Sequence, residues 1–384
     1  MTENPLAPFH FPRPDLARGY VDALMGRSGF GLGGSLFLAA PRRTGKSTFL
    51  RADLTPQLQA EPAEVLYVDL WSDRDADPAE LIAGRIAQAM QAEKSVLKRL
   101  TEGGGLQAVK IGPFTFRIGG DKTAEGGTVT LADALPAYAE AVGRPVALLV
   151  DEAQHALETE AGRDAMFALK AARDAMNVAG QAPRLLLVFT GSHRDKLMTL
   201  VDGRDQPFYG SSVVNLPVLG QDYVAALVAR INAPFAEDKR FDPADVGRAF
   251  ALVGHRPELL QQVMAEHALG GIGPQNLGRS LTERAEYFRQ KLWAQYESDH
   301  GRLTDLQAAV LAQLVADGDG FAPFTNATLS EVAGRLGAKV TTSNMQSALD
   351  ALRDKGIVWR AGRGRYALED QGIADWPASP ARCG

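Results

Sequence analysis

The stretch that decides the fold is Ala40-Pro41-Arg42-Arg43-Thr44-Gly45-Lys46-Ser47-Thr48. It has the spacing of a phosphate-binding loop, except that alanine takes the place of the first glycine. Such a loop points successive backbone N–H groups at a chain of phosphates, and the helix that follows adds positive potential at its N-terminus. We therefore expect all nine residues to bind the phosphates of ATP. Lys46 is expected between the β- and γ-phosphates, where it is also catalytic, and Ser47 is expected to ligate Mg²⁺.

Short apolar runs precede this loop and recur through the first half of the chain. They cover residues 35–39, 65–70, 146–150, 185–189 and 212–216. Near-continuous apolar runs are typical of strands that are buried on both faces of a parallel sheet. Helical patterns separate the runs, so the sequence predicts an α/β fold with a parallel sheet, crossover helices and a helix that begins at Lys46.

The third run ends in the acidic pair Asp151-Glu152. A carboxylate at the C-terminal tip of a buried strand, beside a phosphate loop, is well placed to hold Mg²⁺. A second carboxylate next to it can orient the attacking water and take its proton. We assign Asp151 to the metal and Glu152 to the general base. An exposed acidic pair that caps a helix is the structural alternative.

An insert at about 105–120 separates the second run from the third. Apolar residues alternate with other residues around Gly112-Pro113, which predicts a β-hairpin beside the core. The hairpin is either a packing flap or an arm that binds a partner.

Composition limits the class of protein. A chain of 384 residues predicts two or three domains, and 45% hydrophobic with 23% charged residues is ordinary for a globular protein. The formal net charge of -5 argues against a protein that coats nucleic acid nonspecifically. The only cysteine is Cys383, so no internal disulfide is expected, and neither a signal peptide nor an apolar run of about 20 residues is present. A cytoplasmic protein is the expectation.

Residues 301–370 have the pattern of a winged helix: one helix, a helix-turn-helix and a hairpin. Candidate contacts to duplex DNA are Asn344, Gln346, Arg360, Arg363 and Arg365. Between residues 302 and 370, however, eight Lys or Arg side chains are balanced by eight Asp or Glu side chains. Winged helices also dock onto proteins, so DNA and a protein partner both stay open.

With these motifs placed, the chain resembles the AAA+/STAND-type P-loop ATPases, especially prokaryotic members near the origin-recognition and archaeal-ATPase branches. The resemblance rests on PRRTGKSTFL, LLVDEAQ, LLLVFTGS, PFYGSS and GHRPELL. It spans residues 9–290 and extends towards the tail through the winged helix. It implies an ATPase core over residues 1–217, a helical lid over 218–295, the winged helix over 301–370 and a flexible tail over 371–384.

The resemblance also implies roles for single residues. A polar sensor belongs at the tip of the fourth strand, where Thr190 is the first choice and Ser192 the second, although asparagine is more common there. In the lid, Pro257 would approach the nucleotide and Arg256 would answer transition-state charge as a catalytic second sensor. The plain alternative is a helix start with Pro257 in its first turn.

Arg194 and Arg204 lie where an arginine finger would be offered to a neighbouring subunit. Solvated surface charge is the alternative for both. Relatives of this type include monomers and rings, so nucleotide-dependent self-association belongs to what the resemblance implies.

Three functional hypotheses follow. The first is an ATP-hydrolysing switch that couples nucleotide state to the winged helix. The second is a nonhydrolysing nucleotide-dependent regulator or interaction module, which Ala40 and the lack of an assured arginine finger favour. A small-molecule kinase shares the phosphate loop, but it leaves the acidic pair, the lid motif and the winged helix unexplained.

Overall fold

The computed structural model describes residues 9–28, 32–92, 98, 106–111, 114–117, 127–237, 240–269, 277–300, 303–362, 364–370, 372 and 374. The chain divides into two compact units. The α/β unit holds residues 12–40 and 46–216. The helical unit holds the described residues of 1–11, 41–45 and 217–384.

The α/β unit is built on a five-stranded sheet in the order β2-β6-β7-β1-β8, in which every neighbouring pair is parallel. Its strands, together with those of a smaller sheet, are β1 (Ser35–Ala39), β2 (Glu64–Asp69), β3 (Leu106–Ile111), β4 (Phe114–Arg117), β5 (Gly127–Thr130), β6 (Val146–Asp151), β7 (Leu185–Gly191) and β8 (Val213–Asn215). All five apolar runs lie in the large sheet, so the predicted α/β class is confirmed.

The helices of this unit are α1 (Pro14–Leu24), α2 (Lys46–Thr48), α3 (Thr55–Ala60), α4 (Pro78–Ala92), α5 (Leu131–Val142), α6 (Glu160–Met176) and α7 (Arg194–Met198). A helix does begin at Lys46, as predicted. It then widens into a π-helix over Phe49–Leu54 before α3. Such π-helical turns occur often at functional sites.

Alternating side chains of the sheet enter two apolar cores, because successive residues of a strand point to opposite faces. Phe37, Val68 and Val150 lie in the core that also holds residues of α4, α5 and α6. Leu38 and Leu149 lie in the opposite core, with residues of α1, the π-helix and α3. The second face is the one that continues into the candidate site.

The smaller sheet belongs to the predicted insert. β3 and β4 pair antiparallel with Ile111 opposite Phe114, as a hairpin requires, while Gly112-Pro113 and Ile118 lie outside the described residues. β5 adds a parallel strand to β3 that the sequence did not predict, because Gly-Thr-Val-Thr is short and polar. Val109 is fully buried and Phe114 packs against the same core, which favours the packing flap.

The helical unit has two apolar cores of its own. Its elements are α8 (Gln221–Asn232), α9 (Pro243–Leu252), α10 (Pro257–Leu269), α11 (Leu277–His300), α12 (Asp305–Asp317), α13 (Asn326–Leu336), α14 (Thr342–Asp354), β9 (Val358–Gly362) and β10 (Arg365–Leu368). The first core includes Tyr223 and Phe250, and the second includes Val310 and Leu349. Long helix α11 contributes Phe288 to the first core and Trp293 to the second.

The C-terminal part of this unit consists of three helices followed by an antiparallel two-stranded hairpin. Capping boxes begin two of these helices: Thr304 with Gln307 for α12, and Thr341 with Asn344 for α14. A left-handed glycine, Gly337, ends α13. Among the residues that the structure describes, no helix has the length and apolar character that a membrane span requires.

Candidate functional site

The site starts where β1 ends. The Ala40 N–H donates to the Gly191 carbonyl oxygen at 3.1 Å, which ties the start of the loop to β7. The Ala40 side chain is buried in the core of the second face. A small apolar residue therefore fits the position that glycine holds in the usual motif.

The loop itself is shaped by two residues in the left-handed region, Arg43 at φ 66° and Gly45 at φ 91°. Inside the loop, the Thr44 hydroxyl donates to the Pro41 carbonyl oxygen at 2.7 Å. Arg42 and Arg43 are exposed. Turns of this kind bring successive N–H groups into a concave array that binds anions.

Lys46, the first residue of α2, is buried beside both members of the acidic pair. Its Nζ donates to Glu152 Oε1 and lies 3.7 Å from Asp151 Oδ1. Only 6% of the Lys46 side chain is exposed. A buried cation needs anionic partners, and the two carboxylates supply them here.

Asp151, the last residue of β6, accepts hydrogen bonds on both carboxylate oxygens. Ser47 Oγ donates to Oδ2 at 2.6 Å, and the Tyr67 hydroxyl donates to the same oxygen at 2.9 Å. The Thr190 hydroxyl donates to Oδ1, and the Glu152 N–H donates there at 3.1 Å. The carboxylate is 1% exposed, so these donors replace the water it would otherwise bind.

Glu152 occupies a left-handed backbone conformation with φ 55° and ψ 42°. Its carboxylate accepts from Lys46, from Gln154 Nε2 at 2.5 Å and from Ser192 through the backbone N–H at 3.2 Å and Oγ at 2.8 Å. Burial alone raises the pKa of Glu152. The charge and hydrogen bond of Lys46, with the bonds from Gln154 and Ser192, outweigh burial and lower this pKa to about 2.

The two candidate sensors contact different carboxylates. Thr190 is fully buried and donates to Asp151, whereas Ser192 holds Glu152. Gln154 and Tyr67 were missed as site residues. Gln154 stands in the quoted LLVDEAQ stretch, two positions after Glu152, and that spacing was the available signal. Nothing in the apolar run 65–70 marks Tyr67 as a site residue.

Residues 31–197 match the family described as AAA domain. This part of the chain is therefore similar to AAA domains. The fold of the chain is similar to the Walker-type ATPase of Pyrococcus abyssi at 16% identity, with 96% of each chain covered and a TM-score of 0.59. It is also similar to the ORC2 protein of Aeropyrum pernix in its ADP form, at 13% identity, with 93% of this chain and 88% of that chain covered and a TM-score of 0.50. No curated protein matches the chain. The predicted AAA+ resemblance is confirmed.

The donor set of this site fits a magnesium ion. Ser47 and Asp151 offer a hydroxyl and a carboxylate whose oxygens lie 2.6 Å apart. Hard oxygen donors in small number, completed by water and phosphate oxygens, are what Mg²⁺ prefers. Ser47 and Asp151 are therefore the residues that would hold the ion.

A third carboxylate, Asp69, ends the neighbouring strand β2 in register with Asp151. Its Oδ1 accepts the Trp71 backbone N–H at 2.9 Å. Burial raises the pKa of Asp69; the Trp71 hydrogen bond opposes this rise, while the charges of Asp151 and Glu152 add to it. Asp69, Asp151 and Glu152 thus place three carboxylates at this edge of the sheet.

In the helical unit, Arg256 and Pro257 lie at the start of α10. Pro257 is the first residue of that helix, which agrees with the plain alternative. Arg256 is 2% exposed; it forms an ion pair with Asp370 and donates to the Val253 carbonyl oxygen at 3.2 Å. His255 before it has a left-handed φ of 54°.

The two candidate arginine fingers differ in their surroundings. Arg194 donates to the Asn215 side chain and, at 2.5 Å, to the Val213 carbonyl oxygen, so it joins α7 to β8. Arg204 is exposed.

The candidate DNA contacts lie on α14 and the hairpin. Asn344 Oδ1 accepts in the capping box of α14, and Gln346 Nε2 donates to Asp350 at 2.8 Å. Arg360 and Arg365 are exposed on β9 and β10, while Arg363 lies outside the described residues. The hairpin arginines are therefore the more accessible candidates.

Proposed function

We propose that this protein is a Mg²⁺-dependent ATPase that acts as a molecular switch, coupling its nucleotide state to a winged-helix module for duplex DNA or a protein partner. One observation carries the ATPase: Lys46, Ser47, Asp151 and Glu152 form a single hydrogen-bonded cluster at the carboxyl edge of a parallel sheet. Ligands of open α/β sheets bind at that edge.

Lys46 and Glu152 carry the chemistry. In the structure they neutralise each other, which makes Glu152 a weak base. The phosphates of ATP compete for Lys46, and loss of that cation raises the pKa of the buried Glu152. Glu152 then takes a proton from a water whose oxygen attacks the γ-phosphorus, and the bond from phosphorus to the ADP oxygen breaks. Bound Mg²⁺ supplies charge neutralisation on the phosphates.

Thr190 and Ser192 are proposed to report nucleotide state, because each holds one of the two carboxylates. Residues 218–295, which include Arg256 and Pro257, are proposed as the lid, and residues 301–370 as the winged helix. The order of α12, α13, α14 and the β9–β10 hairpin supports the latter. Nucleotide-dependent self-association and a cytoplasmic location complete the proposal.

A nonhydrolysing nucleotide-dependent regulator is the second candidate. It is favoured by the engagement of Glu152, whose carboxylate is bound by Lys46, Gln154 and Ser192 together. If nucleotide does not release these bonds, Glu152 has no capacity to accept a proton from water.

The test is steady-state ATP hydrolysis by the full chain and by Glu152→Gln, each with and without Mg²⁺ and duplex DNA. Replacement of the base is expected to lower turnover at least about 100-fold while ATP binding is retained. Glu158→Gln is the matched control, since Glu158 lies nearby, is 62% exposed and pairs only with His155 among the described ion pairs.

Each outcome separates the candidates. Equal turnover in Glu152→Gln and the unchanged chain removes Glu152 from catalysis. Intact Mg²⁺-dependent ATP binding with no turnover in either protein supports the nonhydrolysing regulator. Stimulation by DNA supports coupling to the winged helix.

A further inference from the structure

Tyr67 reaches the metal-binding carboxylate from the neighbouring strand. β2 and β6 run in register with Asp69 beside Asp151 and Tyr67 beside Leu149. Residues two apart share a face of the sheet, so Tyr67 and Asp151 lie on the same face, one step apart along the strands. The Tyr67 hydroxyl donates to Asp151 Oδ2 at 2.9 Å.

The donors to Asp151 divide into two groups when a metal ion is considered. On Oδ1, the donors are the Thr190 hydroxyl and the Glu152 N–H, neither of which is assigned to the metal. On Oδ2, Ser47 shares the oxygen with Tyr67. A serine hydroxyl can ligate Mg²⁺ through a lone pair and still donate its proton to Asp151 Oδ2. Of the two donors to Oδ2, Tyr67 is the one that has no other role at the ion, so its hydroxyl can serve only to orient the carboxylate.

The position of Tyr67 is itself supported by the helix that follows the phosphate loop. The Arg51 guanidinium carbon lies 4.3 Å from the centre of the Tyr67 ring. Arg51 belongs to the π-helical segment Phe49–Leu54, four residues after Ser47. This cation–π contact stabilises the position of the ring, and it links Tyr67 to the helical segment that follows Ser47.

We propose that Tyr67 is a positioning residue that orients the Asp151 carboxylate towards Mg²⁺ and thereby sets how strongly the ion enhances nucleotide binding. The inference rests on the proposed nucleotide site but not on hydrolysis. Tyr67 contacts Asp151 and not the reacting atoms, so its effect appears in the response to Mg²⁺.

The experiment compares Tyr67→Phe with the unchanged full chain by calorimetric titration of ADP, once in EDTA and once over a series of Mg²⁺ concentrations. In EDTA the two proteins are expected to bind ADP equally. The Mg²⁺ concentration for half of the affinity gain is expected to rise roughly tenfold in Tyr67→Phe, as suits one lost hydrogen bond to a charged group.

Tyr20→Phe is the matched control. Tyr20 packs against the same core as Tyr67, with its ring 5.9 Å from that of Phe49, and it has no hydrogen bond to the acidic pair. Equal thermal unfolding of the three nucleotide-free proteins would show that the fold is intact.

The readings for the two proposals are separate. The unchanged chain reports on the nucleotide site: no ADP binding in any condition would overturn the proposed function and this inference with it. The ratio of variant to unchanged chain reports on Tyr67 alone. An unaltered Mg²⁺ dependence in Tyr67→Phe, or the same shift in Tyr20→Phe, overturns the inference while the nucleotide site stands.

Discussion

Glu152 combines a left-handed backbone with a buried, fully engaged carboxylate. For a residue other than glycine this conformation costs roughly 1–3 kcal/mol, and it persists only where the surroundings impose it. Here they do so through Lys46 on one side and Ser192 on the other. These two residues thereby fix the carboxylate that we propose as the general base.

The Lys46–Glu152 pair makes stability depend on pH. The folded-state pKa of Glu152, about 2, lies below the ordinary value of 4.5, so the pair stabilises the fold above pH 4.5 and this contribution is lost as pH falls towards 2. Lys46→Met is expected to lower the free energy of unfolding by about 3 kcal/mol at pH 7, because a buried carboxylate loses its partner. The variant should recover towards low pH, since protonated Glu152 needs no cation.

Denaturant unfolding of the nucleotide-free proteins from pH 7 to pH 3 checks this expectation. Lys170→Met is the control, because Lys170 is 43% exposed and its pair with Asp174 is a surface contact. A difference between Lys46→Met and the unchanged chain that stays constant across this range would contradict the assigned pKa.

At the scale of elements, the polar side chains of α14 and those of the β9–β10 hairpin have different surroundings. The first turn of α14 uses Thr341 and Asn344 for its own cap, and Gln346 is engaged with Asp350. These bonds stabilise the helix, and they leave the hairpin to supply charge. Arg360 and Arg365 are exposed there on paired strands.

If the module binds duplex DNA, these arginines contact phosphates. Arg360→Ala and Arg365→Ala are each expected to weaken binding evenly across sequences and to reduce the slope of log affinity against log salt by about 1. Fluorescence anisotropy at several salt concentrations, with ATP and with ADP, measures both effects. Arg279→Ala is the control, with an 83% exposed side chain on α11. A salt slope that neither hairpin variant changes would favour a protein partner.

At the scale of the whole molecule, the helical unit closes on itself through a buried ion pair. Arg256 and Asp370 are 114 residues apart in sequence, and the Tyr296 hydroxyl donates to Asp370 Oδ2 at 2.5 Å. Burial, with the Asp370 charge, raises the pKa of Tyr296, so this donor stays protonated. Gly254 and Gly372 allow the approach, because a Cβ on Gly254 would lie 3.0 Å from the Gly372 Cα.

Replacing one partner of this ion pair is expected to lower the free energy of unfolding more than replacing both partners. Asp370→Asn leaves Arg256 buried without a countercharge and should lower the free energy of unfolding by about 3 kcal/mol. The double variant Arg256→Met with Asp370→Leu should recover much of that loss, because well-packed apolar groups replace a buried pair at little cost. Thermal unfolding of the full chain measures both. A double variant no more stable than Asp370→Asn would show that the loss does not come from the unpaired charge of Arg256.

The phosphate loop, the acidic pair and the five parallel strands could be predicted from sequence because each is a contiguous pattern. Lys46 and Ser47 directly follow the glycine that the loop needs. The strands could be recognised because burial on both faces of the sheet requires unbroken apolar runs. The sensor position was implied by the resemblance and remains a prediction; the structure places Thr190 and Ser192 after the same apolar run.

Only the tertiary structure decided how these pieces act on one another. Tyr67 contacts Asp151 because of the register between β2 and β6. A shift of β2 by one residue would turn the Tyr67 side chain to the other face of the sheet. The structure distinguishes Thr190, which donates to Asp151, from Ser192, which donates to Glu152. It also pairs Arg256 with Asp370, 114 residues later in the sequence. Such pairings depend on long-range packing, which local sequence patterns do not encode.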